Sequence, residues 1–227
     1  MKAMILAAGR GERMRPLTDT CPKPLLKVAG VPLIEHHLRN LKQAGITDIV
    51  INHAWLGEQI EQYFGNGEKF GVSIVYSAEH GGALETAGGI IKALPLLGDE
   101  PFVIVNGDVF CDFDFKQLPI LQVDELAHLI LVTNPEHNVK GDFGFNGSAL
   151  TYDVNLANAN EKFTYSGLGV YHPNLFAGLA IEKAPLAPIL IKAMEQGYIS
   201  GTLHSGLWSD IGTPERLEQI NKQLTEK

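Results

Sequence analysis

The sequence predicts an α/β fold built on an open, mostly parallel sheet flanked by helices. Three observations carry that prediction. Short continuous apolar runs alternate with helix-periodic segments through the first half of the chain, the pattern of strands covered on both faces. The composition, 45% hydrophobic and 19% charged over 227 residues, is that of an ordinary globular protein with material for one full core. Glycines and cations gather directly after the first apolar run, at the strand edge where sheets of this kind bind ligands.

The elements follow in order. "AMILAA" reads as the first buried strand; it runs straight into Gly9, Arg10, Glu12 and Arg13, too soon for a signal peptide. "PLIEHHLRNLKQAG" places Leu33, Ile34, His37, Leu38 and Leu41 on one helical face, with Pro32 near its start and Gly45 at its end. "DIVINH" is the next strand, "LGEQIEQYF" a helix and "VSIVYS" a third strand. The chain turns helical again from about Leu84, and "PFVIVNGD" forms a fourth strand. Beyond residue 110 the pattern loosens. "AHLILVT" and "YISGTLH" read as strands, "GDFGFNG" and "SALTYDV" as a hairpin, and "KFTYSGLGVYH" as a long strand. "LAPILIKAMEQG" and "TPERLEQINKQL" read as helices, the second with Thr213 as a plausible N-cap and Pro214 just inside. No linker or repeat breaks the chain. A single domain over 1–227 is expected, with a nucleotide-binding half at 1–110 and a more irregular, substrate-specific half at 111–227.

Charge is distributed unevenly. The net charge is −8, yet residues 1–27 hold six Lys and Arg against two acids. An acidic chain argues against nucleic-acid and membrane-surface binding, whereas a local cationic cluster suits a small anion. Two cysteines, Cys21 and Cys111, show no metal-ligand spacing and are expected as free thiols in a cytoplasmic protein. No apolar run reaches the length of a membrane span.

The stretch "LAAGRGERMRPLTDTCPKPLL" fits neither common phosphate loop. Met14 stands where a dinucleotide fingerprint needs its third glycine, and no Walker A string occurs. What remains is Gly9 and Gly11, which allow close backbone approach, followed by Arg13, Arg15 and Lys23. The alternative is a strand-to-helix turn with solvated arginines. Pro22 and Pro24 bracket Lys23, either stiffening a functional ammonium or punctuating a surface loop. In "VNGDVF", Asp108 either binds a divalent cation or caps a turn. Asp210 in "LWSDIGTPERL" is a second metal ligand or a loop acid before a helix. The eight histidines form no ligand pattern.

Taken together, these strings resemble the sugar-1-phosphate nucleotidyltransferases over nearly the whole chain. "LETAGG", "VNGD" and "WSDIGTPERL" follow the opening signature in the expected order. The resemblance implies a Rossmann-like nucleotidyltransferase fold with a mixed, mostly parallel sheet. It also implies an enzyme that joins a nucleoside triphosphate to a sugar 1-phosphate and releases pyrophosphate. It places Leu6, Ala7, Ala8 and Gly9 around base and ribose, and Gly11, Arg13 and Arg15 on the triphosphate. Lys23 would bridge the reacting phosphates; Gly88, Glu79 and Asn106 would lie on the nucleotide side. Asp108 and Asp210 would hold Mg²⁺, and Gly144 and Gly167 would line the sugar pocket.

Within the family, "LETAGGI", "GDFGF", "FTYSGLGVYHP" and "GLWSDIGTPERL" are most similar to the bacterial subgroup that uridylylates N-acetylmuramic acid α-1-phosphate in cell-wall recycling. UTP is the nucleotide that this likeness implies. Mannose-1-phosphate guanylyl transfer and glucose-1-phosphate thymidylyl or uridylyl transfer are the alternatives, and a non-catalytic nucleotide-sugar-binding regulator is an alternative of another class. Two departures stand out: Glu85 replaces the glycine of the commoner "LGTAG", and "EKF" stands where many relatives carry "EKP". Glu161 and Lys162 are therefore left without a sugar- or phosphate-binding role. The absence of the long C-terminal extension of some relatives implies a monomer.

Overall fold

The computed structural model describes residues 1–152 and 161–226. Thirteen strands and five helices are described. In the first half these are β1 (Ala3–Ala7), the short pair β2 (Lys27–Val28) and β3 (Val31–Pro32), α1 (Leu33–Gln43), β4 (Asp48–His53), α2 (Gly57–Phe64), β5 (Ser73–Ala78), α3 (Glu85–Leu97), β6 (Phe102–Asn106) and β7 (Val109–Cys111). The second half adds β8 (Ala127–Val132), β9 (Phe143–Phe145), β10 (Leu150–Thr151), β11 (Lys162–Tyr171), α4 (Ala187–Glu195), β12 (Ile199–His204), β13 (Trp208–Asp210) and α5 (Pro214–Thr225).

The main sheet runs β10-β9-β11-β6-β1-β4-β5, with β8 and β12 branching from β11. Strand β1 pairs in parallel with β4 on one side and β6 on the other. The chain thus leaves β1 in one direction and later returns on its other flank, a topological switch that opens a crevice at the carboxyl ends of β1 and β6. Strand β11 ties the halves together, running antiparallel to β6, β8 and β9. The sequence-derived elements agree with these strands and helices. The "SALTYDV" reading runs over 148–154, and its last two positions, 153 and 154, fall outside the described residues.

Alternation along the central strands builds two cores. Met4 and Ile104 face the helices α3 and α4, whereas Ala3, Ile5, Ala7, Val103 and Val105 face α1 and α2. The helical stripe read in α1 is buried as spaced, His37 included. A third cluster of Met14, Leu26, Val28, Leu33, Ile211 and Ile220 packs α5 beneath the glycine loop. Thr213 caps α5, its hydroxyl accepting from Arg216 N. Both cysteines are free thiols. Among the described residues, no helix is long and apolar enough to cross a membrane.

Candidate active site

The glycine loop lies on the crevice. After β1 it makes three single-turn 3-10 segments, and internal bonds hold its shape. Gly11 adopts φ +69°, and a Cβ there would press on Thr18 and Lys23; its carbonyl accepts from Thr18 Oγ1 at 2.8 Å. At Gly9 a Cβ would meet nothing within 4 Å, so that position borders open cavity. Arg10, which motif reading left without a role, stacks over Trp55 at 3.8 Å and donates to Thr18 O and Asp19 Oδ1. It spends its charge bracing the loop.

A cavity of about 330 Å³ fills the crevice. Leu6, Ala7, Ala8, Gly9 and Gly11 line one wall, and Lys23, Asn106 and Asp108 close the end near β6. The Lys23 side chain, only 11% exposed, donates to Asp108 Oδ2 at 2.5 Å. Pro22 and Pro24 flank it within a tight 3-10 turn, so the ammonium is fixed by backbone as well as by its partner. The carbonyl of Leu6 accepts from Gly107 N at 2.9 Å, which locks the turn carrying Asp108 to β1. A lysine and a carboxylate, both anchored, therefore meet at one end of a glycine-walled cavity.

The opposite wall rests on a buried polar chain that sequence reading found only in part. Asn52 Oδ1 accepts from Ala7 N at 2.9 Å, and Asn52 Nδ2 donates to Glu79 Oε1 at 2.7 Å. The second oxygen of Glu79 accepts from Leu84 N at 2.7 Å. Glu79 is 3% exposed and lies outside this cavity; it positions Asn52 and the loop before α3. The signal for Asn52 was a polar residue near the end of an apolar strand, on the ligand edge. The two glycines of "TAGG" serve this packing. A Cβ on Gly89 would sit 2.8 Å from Asn52 Nδ2 and Glu79 Oε1, and one on Gly88 would sit 2.1 Å from the Glu182 carbonyl. Gly88 is thus a packing position beneath residues 182–184 and does not line the cavity.

A second cavity, about 900 Å³, adjoins the first across Glu85, Thr86 and Asn106, which line both. Its far side carries Lys140, Asp142, Phe143 and Tyr152, then Lys162, Tyr165 and the first turns of α4. Burial raises the Tyr165 phenol well above its ordinary pKa, so it stays a neutral hydroxyl, bonded to Tyr171 Oη at 2.8 Å. Gly144 sits inside β9, paired with Thr151 and Lys162. Gly167 adopts φ +83° at a register shift of β11, and its missing Cβ makes room for Asn106, which a methyl would approach to 2.6 Å. Neither glycine lines the cavity; both shape the strands behind it. Glu85 adopts φ +61°, the left-handed region that glycine occupies without strain, which explains the glycine of the commoner "LGTAG". Its carboxylate lies 3.6 Å from Lys183.

Two of the expected triphosphate cations stand apart from the cavity lining. Arg15 is 53% exposed, with its Nε 3.1 Å from Glu12 and 3.2 Å from Asp19. Arg13 is also exposed and has no ion-pair partner among the described residues.

Fit to a divalent cation rests on the carboxylates. Magnesium commonly takes one or two carboxylates together with phosphate oxygens. Asp108 fits: it lines the cavity, and its Oδ1 carries no hydrogen bond among the described residues. Asp210 stands on the neighbouring strand, where Ile211 N donates to Asp108 O at 2.8 Å. Both its oxygens accept from Arg216 Nη1 at 2.8 Å, and His137 approaches to 2.9 Å. Among the described residues, no group of three or more His, Cys, Asp or Glu side chains gathers as a metal cage.

Comparison with known proteins agrees with this architecture. Residues 2–146 match the nucleotidyl transferase family. The chain is 56% identical, over 96% of both lengths, to an N-acetylmuramate alpha-1-phosphate uridylyltransferase of Neisseria meningitidis. It is 37% identical over 75% of its length to a UTP–glucose-1-phosphate uridylyltransferase of Synechocystis, of which the match covers 48%. A Bacillus anthracis crystal structure described as a glucose-1-phosphate thymidylyltransferase superposes with a TM-score of 0.82 over all of this chain and 96% of that one, at 23% identity. That likeness gives the fold. With its glycine-walled crevice at the switch point, the chain belongs to the nucleotidyl transferase family and is a nucleotidyltransferase.

Proposed function

We propose that the protein transfers UMP from UTP to N-acetylmuramic acid α-1-phosphate, giving the UDP-sugar and pyrophosphate, as a step of cell-wall recycling. The observation that carries this reading is the 56% identity over 96% of both chains to the Neisseria enzyme of that name. In this reading residues 1–110 supply the nucleotide site and 111–227 most of the acceptor site, with Glu85, Thr86 and Asn106 as the shared wall.

The attacking atom is a phosphate oxygen that is already anionic, so the reaction needs no general base. What it needs is two polyanions brought together in line, with charge supplied where pyrophosphate departs. The backbone of Leu6 to Gly9 holds base and ribose, and Gly11 lets the loop approach the phosphates. Lys23, held by Asp108, sits where the α-phosphate and the acceptor phosphate meet and offsets their repulsion. Arg13 and Arg15 take the outer phosphates by leaving the solvent, and Arg15 also leaves Glu12 and Asp19. Mg²⁺, when bound, supplies further neutralisation of the triphosphate. Asp108 would hold it through its unengaged oxygen, with Asp210 as second ligand once Arg216 releases an oxygen.

The test is a matrix of nucleoside triphosphates against sugar 1-phosphates, scored by pyrophosphate release. UTP with N-acetylmuramic acid α-1-phosphate is expected to give the highest kcat/KM. A clear preference for GTP with mannose 1-phosphate, or for another sugar, overturns the assignment. Asp108→Asn should lower turnover by about 10³-fold or more while the fold is retained, as expected for loss of a group acting on the transferred phosphate. Wild-type turnover by that variant would remove Asp108 from the mechanism.

A further inference from the structure

The larger cavity is lined, among the described residues, by two lysines and two carboxylates that are held differently. Its two carboxylates are both engaged. Asp142 accepts from Tyr165 N at 2.8 Å and from Asn138 Nδ2 at 3.1 Å, and Glu85 faces Lys183. Its two lysines have no anionic partner among the described residues: Lys162 lies over the Tyr152 ring at 4.2 Å, and Lys140 has no polar or ring partner among those residues. Lys140 is not loosely presented. Its turn is tied to β11, with Asp142 N donating to Phe163 O at 2.8 Å and Asn138 Nδ2 donating to Thr164 Oγ1 at 3.1 Å. At Gly141, φ +61°, any Cβ would strike the Lys162 carbonyl at 2.8 Å, so the turn closes tightly against the strand.

Around these cations the wall is apolar, with Phe143, Leu186, Leu190 and Ile191. Two lysines without an ion-pair partner among the described residues, beside an apolar wall, match a ligand with two separate anionic groups and methyl-bearing substituents. A neutral sugar 1-phosphate brings one anionic group. N-acetylmuramic acid brings a second, the carboxylate of its lactyl ether, together with two methyl groups. The phosphate end of the acceptor is fixed at the wall shared with the nucleotide, because that is where it must reach the α-phosphorus. The carboxylate therefore falls to a lysine away from the reacting groups, and Lys140 is the exposed, unpartnered one.

We infer that Lys140 is a specificity-determining residue that binds the carboxylate of an acidic acceptor sugar, an inference that rests on the acceptor assigned above. The test compares N-acetylmuramic acid α-1-phosphate with its lactyl amide, which has the same shape without the charge. The wild-type enzyme is expected to prefer the acid by about 10- to 100-fold in KM, the range of one charge-assisted hydrogen bond. Lys140→Ala should close that gap, Lys140→Arg should keep most of it, and Lys140→Glu should invert it, with the KM for UTP as the internal reference. If Lys140→Ala keeps the wild-type preference, or if wild type does not distinguish acid from amide, the inference fails alone. If the wild type uses neither compound but turns over another sugar 1-phosphate, the acceptor assignment fails and this inference falls with it.

Discussion

His37 offers a quantitative test of how the core beneath Asp108 is built. It lies on the buried face of α1 at 1% exposure, and among the described residues neither ring nitrogen has a partner at good hydrogen-bond geometry. Burial pushes its pKa down from 6.5 to about 4; the Val109 backbone and, more weakly, the nearby Asp108 carboxylate favour the charged ring, but burial outweighs both. The folded protein therefore refuses a proton that the unfolded chain accepts. Stability from this group is complete above the unfolded pKa and is lost as pH falls from 6.5 toward 4. Linkage puts the loss at about 2 kcal/mol between about pH 7.5 and 5, and about 3 kcal/mol below pH 4. With a urea slope of roughly 2 kcal/mol per molar, the first figure moves the midpoint by ~1 M. Urea unfolding of wild type and His37→Leu across that range isolates the term, since the other titrating groups are common to both. The wild type should lose about 2 kcal/mol more than the variant. Parallel losses in the two proteins would refute the buried neutral histidine.

Two further substitutions probe the wall between the cavities. Gly89→Ala would raise helix propensity on an open surface, yet here its methyl meets the Asn52–Glu79 pair at 2.8 Å. It should destabilise by about 1–3 kcal/mol and raise the KM for nucleotide, seen in thermal unfolding and steady-state kinetics; a rise in Tm would sink that account. Glu85→Gly should relieve left-handed strain of about 1–2 kcal/mol against about 0.5–1 kcal/mol of added backbone freedom. The exposed Lys183 pair adds little on either side. A Tm rise of about 1–2 °C with reduced kcat/KM is expected, and a fall in Tm would show that Glu85 stabilises the turn.

Much of this was legible from residue pattern. Strand and helix periods placed the elements, and the order of apolar runs put the glycine loop and Asp108 on one sheet edge, because parallel strands align their carboxyl ends. Lys23 was legible because two prolines mark a fixed backbone. The ion pairs of Arg15 were not legible: a cation count cannot show that Glu12 and Asp19 already engage it. Gly88 was read as lying on the nucleotide side and Gly167 as lining the sugar pocket, yet each is required by an atom far away in sequence, the Glu182 carbonyl or the Asn106 side chain. Asn52 escaped because its partners, Ala7 and Glu79, are brought together only by strand pairing. Glu85 was visible as a departure from a familiar string, but the reason for its oddity is a dihedral angle.

The shared wall has a consequence for how such an enzyme can change. Glu85, Thr86 and Asn106 border both cavities, so on the proposed assignment of the two cavities a substitution there retunes donor and acceptor at once, and an improvement for one partner is traded against the other. On the same proposal, selectivity for the sugar can drift independently at positions on the outer lining, such as Lys140, Tyr152 or Ile191. Engineering of a new acceptor is best begun there, leaving the partition intact.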